Sequence, residues 1–158
     1  MKTKGFTLIE LLLVIGILVI LMAATIVAIN PFRQFALANN AARWSGATTI
    51  MDAVYQNVVD NAGAFRYGDC ETEDIPTTSQ IMRNDDGDPL TDEYNICGCL
   101  VPTYLSTLPS DPQAGRYDSC TSYNTGYDIV RDANTGRITI CAPTTQIPPE
   151  TAMICVTR

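Results

Sequence analysis

The chain opens on an unbroken apolar run. From Phe6 to Ile29 the only polar side chains are Thr7, Glu10 and Thr25, and Glu10 is the only charge. About 20 apolar residues in a helix cross a bilayer core, so this run predicts a membrane-spanning helix. Asn30-Pro31 interrupts it, because proline cannot donate to the preceding turn and disfavours helix at the residue before it. Apolar positions then resume at helical spacing through Phe32, Phe35, Trp44, Ala47, Ile50, Met51, Val54, Tyr55, Val58 and Val59. Polar Asn39, Asn40, Arg43, Asp52, Asn57 and Asp60 lie between them. The pattern predicts one helix over about 6–62, kinked or locally unwound near Pro31. Its second half would pack its apolar stripe on the remainder of the chain. Asn61-Ala62-Gly63 would stop it, with Gly63 in the left-handed position after the cap.

Residues 64–158 read differently, with all the cysteines and every proline but Pro31. Residues 64–114 carry little periodicity and predict loop. Strand signals follow at Tyr127–Arg131, at Arg137–Cys141 and at Ala152–Thr157. Asp132-Ala133-Asn134-Thr135-Gly136 has the composition of a turn joining the first two. The expected fold class is α+β: a long N-terminal helix packed on a small antiparallel sheet of three or four strands, with long disulfide-linked loops. The expected organisation is a leader over 1–5, a membrane half of the helix over 6–29, an amphipathic half over 30–63 and a head over 64–158.

Composition narrows the chemistry. Charged residues make up 17% of the chain, against roughly 25% in ordinary soluble domains. The net charge is −7, which disfavours non-specific contact with nucleic acid phosphates. With no histidine, Ser-His-Asp and Cys-His catalysis, histidine metal ligation and a histidine pH switch are excluded. Phosphate-cradling glycine motifs are absent, and no base, nucleophile and cofactor motif converge, so no enzyme is expected. The cysteines stand at 70, 97, 99, 120, 141 and 155. They contain no C-x-x-C pair, which argues against a zinc ribbon or a thioredoxin-like site and for disulfides in an oxidising compartment. Cys97 and Cys99, placed on a strand, would face one side and take different partners. Cys141 and Cys155 fall on strands expected to be neighbours, which makes them a candidate pair.

Glu10 is the informative residue of the apolar run. A carboxylate within a membrane helix costs about 2.5–3.5 kcal/mol on insertion scales. The run offers no countercharge, so a partner from outside the segment is expected. Lys2 and Lys4 precede the run and orient the N-terminus to the cytoplasm. An ordinary cleaved signal peptide fits less well, because its apolar region is about 7–15 residues and ends at a small-residue site.

Gly5-Phe6-Thr7-Leu8-Ile9-Glu10, after a short basic leader and before the apolar run, resembles the class III signal of type IV pilins and type II secretion pseudopilins. The resemblance implies cleavage between Gly5 and Phe6 by a membrane-embedded prepilin peptidase, and N-methylation of the new Phe6 amine. It implies that Glu10 meets the Phe6 amine of a neighbouring subunit during filament assembly, which would supply the missing countercharge. It also implies a long helix laid on a small sheet. Leu108-Pro109-Ser110-Asp111-Pro112 is similar to a Leu-Pro-x-Asp-Pro segment of major pseudopilins and many small pilins, and Tyr117, Tyr123 and Gly126-Tyr127 follow in the same order. The acidic glycine-rich tail of pseudopilins is not matched by Cys155-Val156-Thr157-Arg158.

Between Asp69 and Glu93 stand nine acids and Arg83 alone. Set against an EF-hand loop with Gly87 at its sixth position, Asn84, Asp86 and Glu93 fall on calcium-ligand positions, while Met82 occupies the first and cannot ligate. A solvated acidic loop is the plainer reading, and no resident cofactor or metal is expected. The expected function is that of a structural subunit of a type IV pilus, held in the inner membrane and then assembled into a surface filament. Its expected partners are copies of itself, the prepilin peptidase, the inner-membrane assembly machinery and the membrane, with no specific nucleic acid. The alternatives are a type II secretion pseudopilin of a short periplasmic filament, and a membrane-anchored module binding calcium or another ligand.

Overall fold

The computed structural model describes residues 5–66, 74–85, 93–143, 146 and 153–158. It divides into two compact units, Met1–Ala36 and Leu37–Arg158.

The first unit holds helix α1 (Leu8–Ile29) and the opening turn of helix α2 (Pro31–Asp60). α1 is apolar on every side and buries none of its residues, the mark of a helix that packs against lipid or against other chains. Between the helices Asn30 takes a left-handed conformation, φ 48° and ψ 78°, which asparagine tolerates better than most residues. Pro31 opens α2, where its missing N–H leaves no orphan. The Arg33 and Gln34 N–H groups donate to the Asn30 carbonyl at 3.1 and 3.4 Å. The expected irregularity therefore sits at Asn30, and helix restarts on Pro31.

The second unit contains the rest of α2, a five-stranded antiparallel sheet and the short helix α3 (Cys97–Leu100). Its strands are β1 (Gln80–Asp85), β2 (Arg116–Ser119), β3 (Ser122–Arg131), β4 (Ile138–Ala142) and β5 (Ile154–Thr157). β3 is the spine: β1 lies along one side of it, while β2 and then β4 share the other, and β5 continues beyond β4. β3 alternates strictly, burying Tyr123, Thr125, Tyr127 and Ile129. Tyr123, Tyr127 and Ile129 meet Ala47, Ile50, Met51 and Val54 of α2 in one core with Met82, Leu100 and Ile140. The α+β architecture is therefore as expected: a long N-terminal helix and a small antiparallel sheet.

Four expectations are corrected. The sheet has five strands rather than three or four, because β1 and β2 join it. β1 and α3 lie within 64–114, which was expected to be loop. β1 is short and half polar, so its own sequence carries little strand signal, and pairing with β3 decides its conformation. The helix stop is shifted by one residue. Ala62 has φ 56° and Gly63 φ 95°, and the Gly63 N–H bonds to the Val58 carbonyl at 2.8 Å, so Ala62 takes the left-handed position and Gly63 follows it. The buried stripe of α2 is also rotated. Arg43, Gly46, Ala47, Ile50, Val54 and Asn57 face the core, whereas Trp44, Val59, Phe32 and Phe35 are exposed. Trp44 follows Arg43 by one residue, about 100° around the helix, so burying one turns the other out. Cys97 and Cys99 both lie on α3. Two residues along a helix turn about 200°, which directs them to different sides.

Candidate functional site

At the N-terminus Gly5, Phe6 and Thr7 precede the helix. Thr7 is the N-cap, extended at φ −82° and ψ 150°, and forms a full capping box with Glu10. The Glu10 N–H donates to Thr7 Oγ1 at 3.3 Å. In return Glu10 Oε2 accepts the Thr7 N–H at 2.9 Å and the Thr7 hydroxyl at 2.7 Å. This reciprocal arrangement satisfies otherwise orphaned donors of the first turn, and the negative charge sits at the favourable end of the helix dipole. Besides the charged partner expected from outside the segment, Glu10 thus has an uncharged partner within it, Thr7. The Thr7-Leu8-Ile9-Glu10 pattern is itself the sequence signature of such a box. Phe6, next to the expected cleavage point, is 88% exposed. α1 is long and apolar enough to cross a membrane.

In the second unit the Leu-Pro-x-Asp-Pro segment has a definite physical role. Asp111 is buried, and its carboxylate accepts from Arg43 Nε at 2.5 Å and Nη2 at 3.3 Å. The Gln113 and Ala114 N–H groups donate to its Oδ1 at 2.8 and 2.9 Å. Its own N–H donates to the Thr125 carbonyl on β3 at 2.7 Å. One residue thus joins the 111–114 turn, α2 and the sheet, the first two through its side chain and the last through its backbone. Burial pushes the Asp111 carboxyl up, but the Arg43 guanidinium and the two backbone donors outweigh it and hold the group below the usual carboxylate range. Around the pair, Arg43 also donates to Asn40 Oδ1 at 2.9 Å and Gln113 Oε1 at 3.3 Å. Gln146 bonds Asn39 at 2.6 Å and also reaches Gln113. In the sequence Arg43 is a polar residue between apolar positions, and nothing local marks it as buried.

Tyr127 packs beside this pair. Its hydroxyl has no hydrogen-bond partner, and burial together with the Asp111 charge pushes its pKa up to about 12, against the opposing pull of Arg43. It lies against Gly46, where an added Cβ would sit 2.5 Å from the hydroxyl oxygen. Asn57 is the other buried polar residue of α2. It donates to the Cys99 carbonyl at 2.9 Å and accepts the Arg66 N–H at 2.9 Å, tying the helix to α3 and to the chain just beyond its own end.

Two disulfides are described. Cys97 pairs with Cys120, and Cys141 pairs with Cys155 directly across β4 and β5. No described cysteine is free; Cys70 lies outside the described residues. Of the calcium candidates, Asn84 donates its amide to the Cys120 carbonyl at 3.0 Å. Glu93 pairs with Arg83 at 2.8 Å, and Asp86 lies outside the described residues. Both described candidates are thus engaged within the protein, and no metal-holding cluster of acids and cysteines occurs among the described residues.

The model of the prokaryotic N-terminal methylation motif matches residues 1–26. No curated protein and no solved structure gives a match. The matched residues contain the Gly5-Phe6 junction, the Thr7–Glu10 box and most of α1, and with them the chain carries the class III prepilin signal of type IV pilins and pseudopilins.

Proposed function

We propose that this protein is a structural subunit of a type IV pilus, acting by assembly rather than by catalysis. The observation that carries the reading is α1 itself: long enough to span a bilayer, unburied along its whole length, and bearing one carboxylate a few residues after the expected cleavage point. In the membrane, lipid covers this helix. In a filament, the same helices cover one another. Cleavage after Gly5 removes Lys2 and Lys4 and creates an amine at Phe6. Methylated and cationic, that amine is the countercharge Glu10 lacks, and a neighbouring subunit delivers it. The disulfide-bonded heads form the outer surface of the filament. The prepilin peptidase and inner-membrane assembly proteins act on the subunit before it reaches the cell surface.

Glu10→Ala tests the reading. The variant should insert into the membrane as well as the wild type, or better, and fail to form filaments. Normal filaments in normal amounts would contradict it. The second reading, a type II secretion pseudopilin, is favoured by the Leu108–Pro112 segment and its anchored Asp111. It predicts a processed chain that stays with the membrane fraction and is missing from material sheared off the cell.

A further inference from the structure

Both hydrogen bonds that Thr7 donates to Glu10 end on the same oxygen, Oε2. A carboxylate carries about four acceptor positions on its two oxygens, so one oxygen is fully employed and the other is left over. Among the described residues, none donates a hydrogen bond to Oε1. Gly5, Phe6, Thr7 and Glu10 line a recess of about 280 Å³, and processing removes Gly5 from its wall.

We propose that Thr7 is a positioning residue for assembly: it clamps Glu10 through Oε2 and thereby presents Oε1 to the incoming Phe6 amine of the next subunit. This rests on the reading that Glu10 receives that amine. A free glutamate on a helix samples several rotamers and loses that freedom when it binds. The capping box fixes the side chain in advance, so the charge-assisted bond forms without that loss. The clamp also keeps the carboxylate partly satisfied while the subunit waits in the membrane. Thr7 and the amine therefore act together, on different oxygens of one carboxylate.

The test compares Thr7→Val, Thr7→Ser and Glu10→Ala in the full chain, scoring leader cleavage by mass and filament yield by shearing. Valine keeps the shape of threonine and its backbone N–H but lacks the hydroxyl; serine keeps the hydroxyl. Thr7→Val should be cleaved normally and lose filaments about tenfold or more, the size expected for one hydrogen bond to a charged group. Thr7→Ser should stay within about twofold of the wild type, since serine caps helices as well as threonine. Overturning results are wild-type yield from Thr7→Val, an equal defect in Thr7→Ser, or retention of the leader in Thr7→Val, which would place the hydroxyl's role at the peptidase. Loss of filaments in Glu10→Ala with none in Thr7→Val sinks this inference alone; normal filaments from Glu10→Ala sink the functional reading beneath it.

Discussion

Arg43 and Asp111 form a buried ion pair, with Nε 2.5 Å from Oδ2 and neither side chain exposed to solvent. The pair fastens α2 to the turn that carries the Leu-Pro-x-Asp-Pro segment. Breaking a buried pair by removing one partner costs about 3–5 kcal/mol, because the other charge is left uncompensated. Arg43→Met should therefore destabilise the protein by that amount in urea unfolding in detergent micelles, followed by near-ultraviolet circular dichroism. The pH dependence has a definite sign. Asp111 titrates below its unfolded value, so the stabilisation is present above the ordinary carboxylate range and fades as pH falls through the folded value. Arg43→Met should show less of this acid sensitivity than the wild type. Unchanged stability with unchanged acid sensitivity would rule out the role given to the pair.

Gly46 and Tyr127 predict a coupled effect. A methyl group at Gly46 would meet the Tyr127 hydroxyl oxygen at 2.5 Å and the ring carbon bearing it at 3.1 Å. Gly46→Ala should cost about 1–3 kcal/mol through overpacking. Tyr127→Phe removes an unpartnered buried hydroxyl and should be close to neutral alone. In the Gly46→Ala background it should restore part of the loss, giving a non-additive double-mutant cycle. Additivity would show that the two residues do not touch in this way.

The Cys141–Cys155 bridge closes a short loop and holds β5 to β4. Replacing both cysteines by serine should lower stability by about 3 kcal/mol, the magnitude expected for a loop of roughly this length. The variant should also expose the β5 segment to proteolysis before the rest of the head. Limited proteolysis followed by mass analysis checks this, and a cleavage pattern identical to that of the wild type would contradict it.

These relationships differ in how far they could be read from sequence. The apolar run, the Gly5–Glu10 signal, the second half of β3 and the strands β4 and β5 are local patterns, and each is legible because nearby residues decide it. The Thr7–Glu10 box is equally local, but its partner to the carboxylate is an uncharged hydroxyl, which a reading by charge does not single out. Arg43 was not legible: its burial depends on Asp111, 68 residues away. β1 was not legible either, because Gln80–Asp85 becomes a strand by pairing with β3 rather than by its own alternation. Cys97 and Cys99 fall in a stretch whose sequence reads as loop, whereas Cys97 begins a short helix and bonds to Cys120.

The central claim is that this chain is cut after Gly5, methylated at Phe6 and built into a surface filament. Mass spectrometry of material sheared from cells, before and after reduction, tests it most directly. The account predicts a chain that begins at N-methylated Phe6 in the sheared fraction and gains mass on reduction as its disulfides open. Gly5 replaced by a bulky residue should leave the leader attached and the sheared fraction empty. A chain that still begins at Met1, or one that never leaves the membrane fraction, would contradict the account.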